Sequence, residues 1–179
     1  MGQYYKPAFL AKNGKSVKSW IYSHDYGSGL KLMEHSWIKN DFVGAVEEQL
    51  TPHGKFYKSK LVWAGDYADN EEGSKSNVYG RCKDKNQIKP HGGMVDPIYR
   101  YIVNHTKKEY VDKMEVPDND GWRIHPLPLL TCEGNGRGGG DYGYPDDNNI
   151  VGSWARNVIS VEKEIPGEYK KIEFNLIES

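Results

Sequence analysis

Between residues 134 and 140, only Asn135 and Arg137 interrupt a run of five glycines, Gly134, Gly136, Gly138, Gly139 and Gly140. Glycine inside a helix or strand costs roughly 0.5–1 kcal/mol relative to alanine. A regular element through this run is therefore disfavoured, and the chain must fold around a loop here. An apolar run, Leu127 to Leu130, leads into it, and Ile150 and Val151 restart the apolar pattern after it. Glycine at this density points to backbone with positive φ, or to close approach to something else. Gly134-x-Gly136-x-x-Gly139 matches the dinucleotide fingerprint letter for letter. Gly140, Gly143 and Pro145 follow where that fingerprint needs a helix N-terminus, so a Rossmann unit is not expected. Without the helix, the backbone N–H groups of Gly136, Gly138, Gly139 and Gly140 can form an anion-binding concavity. Arg137 would then clamp a phosphate or carboxylate with two parallel hydrogen bonds. A structural loop in which Arg137 pairs with an internal carboxylate is the other reading, and the residues allow both.

The remaining pattern predicts an α+β fold: a single mainly antiparallel β domain over 1–179, with one clear helix at about 41–50 and long polar and glycine-rich loops. Gln3 to Ala11 reads as a strand, at an edge because of Pro7. Asn13-Gly14 is a hairpin turn, and Val17 to Tyr22 is the returning strand. Tyr99 to Val103 and Glu109 to Asp112 repeat the hairpin pattern, which hints at two similar halves without establishing them. Phe42, Val43, Val46 and Leu50 share one face of the helix, Asn40 or Asp41 caps it, and Glu47 and Glu48 are expected on the solvent side. Leu61 to Ala64 reads as a buried strand, and a short helix fits Val78 to Cys82. Val151 to Val161 reads as a strand bent at Gly152, and Lys170 to Ile177 as a last strand closing the sheet.

Charge narrows the function classes. Lys+Arg 24 against Asp+Glu 25 gives a formal net charge of −1, which argues against a general nucleic-acid binder. No apolar stretch reaches membrane length, and the first residues lack a signal-peptide pattern, so a cytoplasmic protein is expected. Cys82 and Cys132 are too few and too far apart for a metal knuckle.

Three echoes mark candidate ligand contacts: Asp25-Tyr26-Gly27, Asp66-Tyr67-Ala68 and Asp141-Tyr142-Gly143. If strand ends converge, Asp25, Asp66 and Asp141 accept hydrogen bonds from sugar or base groups, and Tyr26, Tyr67 and Tyr142 offer stacking faces. Alternatively, each Asp bonds its own turn and each Tyr packs beside it. His24 beside Asp25 and His35 beside Glu34 are candidate bases, although sequence neighbours point apart on a strand. His91 and His125 look like loop residues. No HExxH or other paired ligand spacing predicts a metal, and no catalytic residue or cofactor is assigned. Cys132 before the glycines is a weaker candidate nucleophile, because no partner histidine is fixed.

Met1-Gly2-Gln3-Tyr4-Tyr5, SHDYGSGLKLME at 23–34, WAGDYAD at 63–69, EGNGRGGGD at 133–141 and VGSWA at 151–155 resemble an uncharacterised family of small stand-alone proteins of bacteria and bacteriophages. The resemblance supplies no catalytic residue. It implies a bacteriophage anti-defence setting, in which such proteins sequester nucleotide signals or block a nuclease. The expected function is therefore binding of a phosphate-bearing small molecule such as a nucleotide. A protein-binding inhibitor of a host defence nuclease, similar to an anti-CRISPR, and a metal-dependent hydrolase remain as alternatives.

Overall fold

The computed structural model describes residues 3–92, 95–134 and 142–177. A hairpin of β1 (Tyr5–Leu10) and β2 (Val17–Trp20) comes first, followed by the short α1 (Leu32–His35), the main helix α2 (Asp41–Leu50) and β3 (Ser59–Gly65). A second hairpin, β4 (Tyr101–Asn104) and β5 (Glu109–Asp112), leads to α3 (Pro126–Thr131), β6 (Cys132–Glu133), β7 (Val158–Glu162) and β8 (Lys170–Lys171). Among the described residues these strands form one eight-stranded sheet in the order β2-β1-β3-β7-β4-β5-β8, with β6 beside β3. Only the β3–β6 and β5–β8 pairs are parallel. The α+β expectation, mainly antiparallel with one main helix, describes this architecture.

The topology repeats. In each half a hairpin's first strand also pairs antiparallel with a third strand, β1 with β3 and β4 with β7, and β3 and β7 join the halves. The helices cross over: α2 packs on β7, and α3 packs on β3. Strand alternation then separates two cores. Phe9, Leu61, Trp63, Ile102, Ile159 and Val161 meet Phe42, Val43, Val46 and Leu50 of α2 and Leu127 and Leu130 of α3. On the other face Ala8, Leu10, Val62 and Ala64 pack with Trp20, Val78 and Cys82.

Local chemistry explains the boundaries. Asn40 caps α2, its Oδ1 accepting from the Val43 N–H at 3.1 Å, as a short polar side chain at that position does. Pro126 opens α3 at a position where a missing N–H costs nothing, and His125 before it serves as the cap.

Several expectations are corrected. β1 lies inside the sheet rather than at an edge. Pro7 is tolerated because its backbone groups face the β2 side just where β2 leaves the ladder. There the Pro7 carbonyl still accepts from Ile21 N–H, and the missing N–H has no strand partner to disappoint. Residues 151–157 are turns, and the strand begins only at Val158. A helix leaves its last carbonyls open, and Gly152 N–H and Trp154 N–H donate to Leu129 O and Leu130 O of α3 at 2.8 and 2.7 Å. At Gly152 and Trp154 capping that helix takes the place of strand pairing, which resumes at Arg156, whose N–H donates to Leu61 O of β3 at 2.8 Å. The last strand shrinks to Lys170–Lys171, paired parallel to β5, and residues 172–177 run on without regular structure.

Gly152 has φ +76, and a Cβ there would lie 2.8 Å from Cys132 O. Left-handed backbone alone costs a non-glycine residue about 1–2 kcal/mol. Gly152→Ala is therefore expected to lower the thermal midpoint by at least several degrees, at ~2–4 °C per kcal/mol for a domain of this size. An unchanged midpoint in calorimetry would show that the α3 cap is not held this tightly.

Candidate functional site

The strongest concentration of buried ionisable groups lies where the two halves meet. Glu47 sits on α2, with its side chain 4% exposed. His125 caps α3 from the second half, and Lys113 follows β5 in a 3-10 turn, Lys113–Glu115. His125 Nε2 lies 2.6 Å from Glu47 Oε1, and Lys113 Nζ donates to Glu47 Oε2. The tautomer follows from a third bond: Leu127 N–H donates to His125 Nδ1 at 3.1 Å. An accepting Nδ1 carries no proton, so Nε2–H donates to the carboxylate. Burial would raise the Glu47 carboxyl, but His125 and Lys113 outweigh it and hold it below the ordinary carboxylate range. Burial lowers the pKa of His125, with only part of that effect offset by Glu47. The cluster is therefore carboxylate, neutral imidazole and ammonium. Both ring nitrogens of His125 are engaged, which removes it as a general base.

This cluster forms the floor of a cavity of about 240 Å³. Asn40, Gly44 and Glu47 of the α2 side line it at helical spacing, and Ile38, Val95, Pro97 and Met114 give it apolar walls. Lys39, Arg100 and Arg123 are its further cations. Arg100 is spent on Asp112, with Nε donating to Oδ1 at 3.0 Å and Nη2 to Oδ2. Arg123 is fixed by its Nη2, which donates to Lys113 O at 3.0 Å and Met114 O at 3.1 Å. Its Nε and Nη1 have no partner among the described residues. Lys39 is exposed, has no ion-pair partner among the described residues and holds φ at +75. A lysine with left-handed backbone is strained by about 1–2 kcal/mol, and such strain is concentrated at functional positions. With Lys113 balanced by Glu47 and Arg100 by Asp112, Lys39 and Arg123 leave the cavity electropositive. What it can do chemically is hold an anion beside an apolar body.

Those residues singled out by sequence that are described lie elsewhere. Gly136, Arg137, Gly138, Gly139, Gly140 and Asp141 fall outside the described residues. Asp25 accepts from Gln87 Nε2 at 2.7 Å, and Tyr26 packs on Phe42 while its hydroxyl accepts from His91 N–H at 3.1 Å. Asp66 Oδ1 accepts from Tyr4 N–H at 2.8 Å, and Tyr67 is 37% exposed. Tyr142 donates to Ile177 O at 2.9 Å and packs on Tyr144. Asp25, Asp66 and Tyr142 thus each hold a different part of their own chain. One juxtaposition does emerge: β6 runs beside β3, and Gly65 and Gly134 both stand against the Gln3 side chain. Asp66 therefore follows β3 at the same sheet end where the glycine-rich segment begins.

The paired-neighbour histidines do not form. Glu34 Oε1 accepts from Lys31 N–H, and His35 instead bridges Gly29 O through Nδ1 and Trp63 Nε1–H through Nε2, each at 2.9 Å. His24 meets Tyr22. Cys132 is buried, with its thiol donating to Leu129 O. His105, Ser160 and Glu162 also converge, but Ser160 Oγ donates to Glu162 Oε2 at 2.5 Å while His105 Nε2 lies 2.6 Å from that Oγ. The hydroxyl proton is committed to Glu162, so the histidine acts as donor and the serine is not activated. Among the described residues no group of three His, Cys, Asp or Glu side chains could hold a metal ion.

Glu47 contradicts its expected place on the solvent side, and His125, a loop residue as expected, is nonetheless buried. On a helical wheel Glu47 lies about 40° from Val43, four residues away, so it belongs to the buried face. His125 is a buried cap, and only its position before Pro126 hinted at that. The stripe Asn40, Gly44, Glu47 was readable in the sequence; Arg123, Arg100 and Lys113 had no local signal. No protein-family model, curated protein or solved structure matches the chain.

Burial pushes His35 down to about 4 from 6.5, and His125 shifts the same way. Their folded-state values lie below the unfolded one, so this stability is present above pH 6.5 and is lost as pH falls toward 4. Each such group contributes a slope of up to ~1.4 kcal/mol per pH unit. The thermal midpoint is expected to drop steeply from pH 7 to pH 4.5, and less steeply in His35→Gln. A flat profile would refute the neutral buried histidines.

Proposed function

We propose that the protein binds a phosphate-bearing small molecule in the cavity between α2 and the second half, with Arg123 and Lys39 meeting the anion. The observation that carries this reading is two cations without carboxylate partners among the described residues, converging on a cavity with apolar walls. The immobilised Arg123 supports it, because a guanidinium already held by backbone carbonyls loses little freedom on binding. So does Lys39, whose strained backbone has a use if its charge does. The glycine-rich segment with Arg137 remains a second anion-binding candidate on sequence grounds. In the bacteriophage setting that the resemblance implies, the ligand would be a nucleotide signal held away from its receptor.

A second reading has its own support. Met114 and Trp122 are each 62% exposed, and Trp122 stacks edge-on against Trp37 at 5.3 Å. A partner protein covering these side chains would make the protein an inhibitor rather than a sequestering one. Aromatic anchors of this kind dominate such interfaces.

The two readings separate on one set of variants. Arg123→Ala is expected to weaken binding of phosphate-bearing ligands by about tenfold or more, since a charge-assisted hydrogen bond contributes ~1.5–3 kcal/mol. Lys39→Gly relieves the left-handed strain, so it should raise the thermal midpoint by roughly 2–4 °C while still weakening the ligand. Isothermal titration against a panel of nucleotides and sugar phosphates, at low and high salt, measures both. Absence of binding across the panel would overturn the reading. Loss of a captured protein partner in Trp122→Ala, with Arg123→Ala silent, would favour the inhibitor.

A further inference from the structure

The floor and the rim of the cavity ask for different chemistry, and this deepens the reading just given, on which it rests. At the rim Lys39 is exposed and Arg123 half-buried. At the floor the Glu47 and Lys113 side chains are only 4% and 13% exposed and already balance each other. A second anion driven to the floor would meet Glu47, and a cation would meet Lys113; like charges in a buried site are strongly disfavoured. The floor therefore selects a neutral polar group, and the rim takes the charge.

The hydrogen-bond inventory sharpens this. Each oxygen of Glu47 accepts one bond, from His125 or Lys113, while a carboxylate has about four acceptor sites. Lys113 donates to Glu47 and has further N–H groups without a partner among the described residues. The floor thus sets the remaining acceptor capacity of Glu47 beside the remaining N–H donors of Lys113, both lining the cavity. Among the nucleobases, guanine presents the complementary edge: two adjacent N–H donors beside a carbonyl. Adenine places a ring nitrogen, an acceptor, where the carboxylate needs a donor. The apolar walls, Ile38, Val95 and Pro97, suit the faces of a planar ring. A cavity of about 240 Å³ lies below the ~300–1,000 Å³ usual for ligand cavities, so it takes one base and leaves the sugar phosphate at the rim.

We infer that the ligand is a guanine mononucleotide, with its base edge inward on Glu47 and Lys113 and its phosphate outward at Lys39 and Arg123. The test is titration calorimetry of the wild-type protein with guanosine, inosine and adenosine monophosphates and with ribose 5-phosphate, which needs no variant of the buried cluster. The expected order places guanosine monophosphate at least tenfold tighter than adenosine monophosphate and ribose 5-phosphate. Inosine monophosphate, which lacks one N–H donor, should fall between. Lys39→Gly should weaken all four by a similar factor, because Lys39 meets only the phosphate and has no ion-pair partner among the described residues. Equal affinity for the guanine and adenine nucleotides, or ribose 5-phosphate as tight as either, would overturn base recognition while leaving anion binding intact. No binding of any of the four, together with silence of the wider nucleotide and sugar-phosphate panel, would remove the anion-binding reading as well.

Discussion

A buried carboxylate is costly to leave uncompensated, and the protein is tied together around Glu47 for that reason. Removing one partner of such a pair typically costs about 3–5 kcal/mol. The compensating groups come from far along the chain: His125 stands at the head of α3 and Lys113 just beyond β5. Satisfying Glu47 therefore fixes α2 of the first half against two segments of the second. The same three residues floor the cavity. What holds the halves in register also sets the chemistry of the space between them.

That space is polarised by what is already neutralised. Glu47 with Lys113 and Asp112 with Arg100 are closed pairs. Arg123 uses part of its guanidinium to hold the carbonyls of the Lys113–Glu115 turn and so stays fixed without being discharged. Lys39 sits in left-handed backbone at the rim. The crossed packing of α2 on β7 and α3 on β3 supplies the rigidity behind it. Each helix belongs to one half by sequence and rests on the other.

Much of the fold is legible in the amino-acid sequence. The apolar spacing of Phe42, Val43, Val46 and Leu50 with Asn40 in front marked α2 correctly, because capping and periodicity are local. Both hairpins were legible for the same reason. Elements defined by remote partners were not. Residues 151–157 looked like strand, yet the N–H groups of Gly152 and Trp154 serve the open carbonyls of α3. Pro7 looked like an edge residue, yet β2 happens to leave the ladder beside it. The site was harder still. Asp25 and Asp66 carried turn signals that turned out to be internal hydrogen bonds, while Arg100, Lys113 and Arg123 stood in stretches with no motif at all.

By itself the sequence determined the elements whose causes lie within a few residues: one capped amphipathic helix and two hairpins. The tertiary structure alone decided which ionisable groups are buried together. Burial energies depend on what else occupies the same volume, and Glu47 and His125 lie far apart in the chain but 2.6 Å apart in space. A carboxylate on the helix reads as solvent-facing until the residues that desolvate and neutralise it are in place. In this protein they arrive from the other half of the fold.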